Sequence, residues 1–214
     1  MSNSNHKILI RISQTAPSRF PRSPMTEYET FDEFDDFDPV EVAWFGEYHP
    51  SQGGRNRLHY EPHTQAILRL KSQNLDLDDY FESPISAHVR MVVENYGRAD
   101  IMIIPSHDPS TPNSKFKDLV EYCIARIPGA ISRLDDFQRV EPSPKLSDPW
   151  NAQDRLPETL IDTCEIYGYR NARTVIVFDD VITSGSSMVG ANLLLREEGY
   201  SHVLCVALGR TAYY

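Results

Sequence analysis

The chain has 214 residues, 40% of them hydrophobic, which suits one soluble domain with a small appendage. Lys and Arg number 21 against 31 Asp and Glu, a formal charge of -10. That balance argues against general nucleic-acid binding, which rests on cations neutralising phosphates, while leaving room for a local basic pocket. No apolar stretch approaches the roughly 18 residues of a membrane span, and the polar opening MSNSNHK lacks a signal peptide's apolar core, so a cytoplasmic protein without a membrane partner is expected. Cys123, Cys164 and Cys205 are isolated and odd in number, which supports neither a disulfide framework nor a zinc ribbon; each is expected in the core.

In chain order, an apolar run at residues 7–12 leads into the Pro/Ser/Arg-rich APSRFPRSP and then the acidic-aromatic TEYETFDEFDDFDP. Clustered charge of low complexity favours a mobile or loosely docked tail. Tyr28, Phe31, Phe34 and Phe37, spaced by three, also allow an ordered helical face that binds a protein partner or acts as a lid. Residues 40–48 read as a strand, turned by Gly53 and Gly54 toward a second strand at 58–60. Helices are expected at 64–71 and 84–96, the latter stopped by Gly97.

From residue 100 strands and helices alternate. Ile101–Ile104 suits a strand buried on both faces, and Phe116, Leu119, Val120, Cys123, Ile124 and Ile127 trace an amphipathic helix. A weak strand at 130–134 precedes a proline-rich connection, 135–156, long enough to suggest an active-site lid. A helix at 157–167, a strand at 174–178, a helix at 187–198 and a strand at 202–208 complete the pattern. The expected fold class is α/β: a parallel twisted sheet flanked by helices. Residues 1–60 form an N-terminal tail and a small hood or hairpin, and 61–214 the α/β domain.

The stretch TVIVFDDVITSGSSM, 174–188, concentrates the chemistry. An apolar strand ends in Asp179 and Asp180, and the small residues Thr183, Ser184, Gly185, Ser186 and Ser187 lead into a helix. Their backbone amides approach an anion closely, and the helix N-terminus adds partial positive charge. Two carboxylates beside an anion cradle must face another part of the ligand; vicinal sugar hydroxyls or magnesium fit. A ribose 5-phosphate meets both demands. A polar strand end before a capped helix is the blander reading. A response-regulator receiver, which also pairs acids at a strand end, is not expected, because it carries them early in its domain and here only residues 181–214 follow Asp180.

This stretch resembles the signature by which type I phosphoribosyltransferases bind phosphoribosyl pyrophosphate (PRPP). The resemblance implies that Asp179 and Asp180 hold the ribose hydroxyls and take part in catalysis, and that Val181, Ile182, Thr183, Ser184, Gly185, Ser186 and Ser187 complete the PRPP site, with 183–187 on the 5-phosphate. ADIMIIPSHDPSTPNSKF (99–116) resembles the strand and loop that receive pyrophosphate, which points to Ser106 and His107. VLCVALGRT (203–211) resembles the final strand of the ComF-like branch, though the four-cysteine zinc ribbon common in that branch is lacking. The 139–160 segment falls where that branch has its flexible loop, making Arg139, Lys145 and Arg155 candidates to close over a polyphosphate. The resemblance implies a glycosyltransferase of nucleotide metabolism that moves phosphoribosyl from PRPP to a base-like acceptor, with magnesium carried mainly by PRPP. It also admits a homodimer. A non-catalytic PRPP or nucleotide sensor with a partner-binding N-terminus is the alternative.

Outside the signature, Trp44, Phe45, Tyr48 and Tyr60 serve either as hairpin core, the favoured reading, or as a stacking surface for a base. His107, Arg139, Lys145 and Arg155 are each balanced between ligand contact and a solvated loop. His59 and His63 have metal-like spacing but lack companion ligands, so surface residues are expected there.

Overall fold

The computed structural model describes residues 26–34, 36–72, 79–110, 114–142 and 156–212. Seven strands form one mixed, mostly parallel sheet: β1 (Glu27–Phe31), β2 (Val40–Trp44), β3 (Glu47–Tyr48), β4 (Ala99–Ile103), β5 (Ala130–Ser132), β8 (Thr174–Ile182) and β9 (His202–Thr211). Their order across the sheet is β1-β2-β9-β8-β4-β5, with β3 also on β9. Only β1 runs antiparallel to its neighbour within that sheet. The short strands β6 (Phe137–Arg139) and β7 (Cys164–Ile166) pair separately.

The strands alternate between two apolar layers, as buried strands must. Ile176 and Phe178 of β8 face a core built with α1 (Pro62–Lys71), α2 (Glu82–Tyr96) and α3 (Ser114–Ile124). Val175 and Val177 face the other, built with α4 (Pro157–Ile161) and α5 (Ser186–Glu197). All three cysteines are free and buried, and no helix among the described residues is long and apolar enough to cross a membrane.

Several local expectations change. The acidic-aromatic segment is neither a tail nor a helix over residues 27–31 but a strand. Glu29 and Phe31, two apart, share one face, while Tyr28 on the other packs against the α1–α3 core. With β2 it forms a hairpin one strand earlier than expected, and that hairpin belongs to the main sheet, so strands from both sides of residue 60 share one structure. Residues 57–60 make a 3-10 turn rather than a strand, with the Asn56 side chain accepting from the Leu58 amide. The helix expected to reach 167 ends at Ile161, because residues 164–166 pair with 137–139 instead. The 135–142 part of the expected lid is therefore partly strand.

The chain bends between β2 and β3 at Gly46, where a Cβ would lie 2.8 Å from the His63 ring. His63 Nε2 in turn donates to the Leu208 carbonyl at 2.9 Å, tying α1 to β9.

Candidate functional site

β4 leads through α3 to β5 on one side of it, while β8 lies on its other side. A crevice forms at such a reversal, outside the carboxyl ends of the strands. β4 pairs with β8 only as far as Ile103 opposite Phe178, with Ile104 donating its amide to the Phe178 carbonyl at 2.8 Å. From Asp179 onward β8 keeps its partner on the β9 side, and its other edge opens toward the loop after β4.

Asp179 and Asp180 thus lie inside β8, not after it, and neighbouring strand residues face opposite ways. Asp180 points toward α1, where its Oδ2 lies 3.2 Å from Lys71 Nζ. The Asp180 amide donates to Asp179 Oδ1 at 2.8 Å. Burial first, and then the charge of Asp180, push the Asp179 carboxyl well above its ordinary value of 3.8, against the pull of Lys71 and Arg139. Burial pulls Lys71 down, yet Asp180, Asp179 and Tyr48 together outweigh it and the net shift is upward.

After β8 the loop Thr183–Gly185 turns into α5. Gly185 takes a left-handed backbone, φ 81°, and caps the helix, so the first-turn amides begin at Ser186 and have no intrahelical acceptors. The Ser184 and Ser186 hydroxyls bond each other at 3.0 Å, and those of Thr183 and Thr211 at 2.8 Å. Thr183, Ser184 and Ser187 are half-buried, whereas Ile182, Gly185 and Ser186 are buried, so the latter three present no open side chain. The structure brings 179–187 together as one continuous strand, loop and helix start.

The other candidates are placed differently. Ser106 and His107 follow β4; the Ser106 carbonyl accepts from Arg139 Nε at 2.6 Å. Arg139 sits on β6, buried, its guanidinium also bonded to Thr163, and burial lowers its pKa. It stands at the crevice as a fixed cation instead of a loop residue. Lys145 and Arg155 lie outside the described residues. A cavity of about 360 Å³ opens on the β4–β5 side, lined among others by Ser106, Asp108, Lys117, Asp135 and Arg139 but by none of residues 179–187. Lys117 is bridged to Asp135 there, whereas Arg139 is bonded to the Ser106 carbonyl and the Thr163 hydroxyl and is the cation that the cavity shares with the crevice.

Trp44 is in the α4–α5 core, Phe45 and Tyr48 pack against the α1–α3 core, and Tyr60 is 72% exposed. His59 Nδ1 donates to the His49 carbonyl and His63 to that of Leu208. Among the described residues no group of three or more His, Cys, Asp or Glu is arranged to hold a metal.

Sequence reasoning missed four residues. Lys71 closes α1, which packs on β3 and β9, and its side chain reaches Asp180 from there. Arg210 is buried in β9, its Nε donating to Glu29 Oε2 at 2.5 Å, its Nη2 to Glu29 Oε1 at 3.1 Å and its Nη1 to the Thr183 carbonyl at 2.5 Å. Phe31 packs on Gly185 so closely that a Cβ there would come within 2.2 Å of its ring. The alternation of β1 carried a signal for Glu29 and Phe31, masked by the acidic surroundings. Compared with known proteins, the sequence matches no family model and no curated protein.

Proposed function

We propose that the protein binds PRPP in the crevice at the carboxyl ends of β4, β8 and β9 and transfers its phosphoribosyl group to a nucleobase-like acceptor, releasing pyrophosphate. One observation carries the reading: a strand holding two adjacent carboxylates runs straight into a small-residue loop that starts a helix, at the reversal point of a mostly parallel sheet. The first-turn amides of α5 and the hydroxyls of Thr183, Ser184 and Ser187 hold the 5-phosphate. Asp179 and Asp180 accept from the ribose hydroxyls. With Asp180 already paired to Lys71, the donor set suits magnesium arriving on the diphosphate oxygens rather than a resident ion.

In the transfer, the bond from ribose C1 to the diphosphate oxygen breaks and its electron pair leaves with pyrophosphate. The acceptor nitrogen's lone pair then forms the new bond to C1, and the acceptor's proton passes to solvent or base. The carboxylates stabilise the positive charge that develops on the ribose, and Arg139, fixed against the Ser106 carbonyl, places a cation on the departing side. Hydroxyl donors favour the ionised carboxylate, so PRPP binding draws the raised pKa of Asp179 back down and releases a proton.

The test is pyrophosphate release with PRPP, magnesium and a panel of purine, pyrimidine and nicotinamide-type bases. One acceptor should support release, and Asp179→Asn with Asp180→Asn should reduce it by about 100-fold or more. PRPP binding without release for any acceptor would replace the transferase with a non-catalytic sensor.

A further inference from the structure

The strand β1 touches the candidate phosphate loop at both ends. Its Glu29 takes the fork of Arg210 through Nε and Nη2, and the remaining Nη1 donates to the Thr183 carbonyl where the loop begins. Its Phe31 fills the space beside Gly185 where the loop ends. The pair is largely withdrawn from water, with Arg210 8% and Glu29 13% exposed, and Arg210 lies 5.5 Å from the centre of the Phe31 ring. A planar guanidinium engaged on two acceptors fixes direction as well as charge.

That direction matters for anion binding. A carbonyl turned into a cradle of amides would repel a phosphate, and Arg210 holds the Thr183 carbonyl on its own side. Phe31 meanwhile fixes the residue that sets where the first helical amides point. Resting on the PRPP reading, we propose that β1 is an intramolecular strap that sets the anion-binding geometry of residues 183–187, with Glu29 and Arg210 as positioning residues and Phe31 as the wedge. The acidic segment is then part of how the site is built. The rival arrangement, in which Glu29 masks Arg210 as a direct phosphate ligand, fits less well, because the guanidinium is buried and committed to the loop's backbone.

The experiment combines hydrogen exchange at the amides of 183–187 with calorimetric titration of magnesium-PRPP and of inorganic phosphate, on the full chain. Glu29→Gln and Arg210→Lys should each speed exchange at those amides about tenfold or more and weaken both ligands by a similar factor, while exchange in β4 and β5 stays unchanged. Glu27→Gln, on the same strand but exposed, should do neither. Unchanged exchange and affinity would overturn the strap, and tighter phosphate binding in Glu29→Gln would overturn it in favour of masking. If the wild-type chain binds neither ligand, the transferase reading fails, and local exchange alone decides the strap. Should Glu29→Gln not fold, Phe31→Leu, which removes the ring beside Gly185 and Arg210 but keeps the Glu29–Arg210 pair, is read in the same way.

Discussion

At the scale of single residues, two groups whose pKa values are displaced by desolvation oppose each other in the protein's response to pH. Asp179 has its pKa raised by burial and by Asp180, so from 3.8 upward the folded chain holds a proton that the unfolded chain has lost. Stability from this source is complete at low pH and declines as pH rises through the raised value. His88 of α2 is 1% exposed, and neither ring nitrogen has a hydrogen-bond partner among the described residues; burial pushes its pKa down to about 4. The unfolded chain therefore binds the extra proton between about 4 and 6.5, and stability is lost as pH falls through that window. Melting temperatures across pH separate the two: the gain of Asp179→Asn over wild type should grow as pH rises, and that of His88→Phe as pH falls below 6.5. Gains of about 2–4 °C per kcal/mol are expected for a chain of this size. A gain independent of pH in either variant would show that the replaced group is not the one titrating. Lys71 was not legible as a site residue, because helical periodicity gives its position on α1 but not where α1 docks on the sheet.

At the scale of elements, legibility followed burial. β4, β8 and β9 announce themselves as apolar runs because both faces are covered, and α3 because one face is. The sequence hid β6 and β7, which are three residues each and pair across the 140–163 connection, and β1, whose Glu29 faces Arg210 instead of solvent. β8 runs four residues beyond the expected end at Phe178, since Asp179 and Asp180 are strand residues despite their charge. The candidate cradle was readable from its small residues, but the proposed wedge, Phe31 against Gly185, was not. That wedge makes Gly185 the most constrained point of the loop. Gly185→Ala forces a Cβ into a left-handed backbone, costing about 1–2 kcal/mol, and against Phe31, adding about 1–3 kcal/mol of overpacking. Urea unfolding should record a loss of that order, and because the two side chains touch, a Phe31→Leu background should shrink it. Equal losses in both backgrounds would mean that the ring does not press on Gly185.

For the whole molecule, a chain of charge -10 presents a candidate phosphate site by placing a few cations where they act: Lys71 on Asp180, Arg139 beside the β4 loop and Arg210 behind the cradle. Composition spoke against polyanions in general and left a local pocket open. The α/β class was legible from alternation, whereas the mixed sheet was not, because the antiparallel strand comes from a segment whose composition resembles a tail. The reversal between β4 and β8 also needed the structure, since strand order is not encoded in strand spacing. The most direct measurement is calorimetric titration of the full chain with PRPP and magnesium. Saturable one-site binding that requires magnesium and disappears in Asp179→Asn with Asp180→Asn is the predicted result. Absence of binding, or binding untouched by that double substitution, would contradict the assignment of the crevice to PRPP.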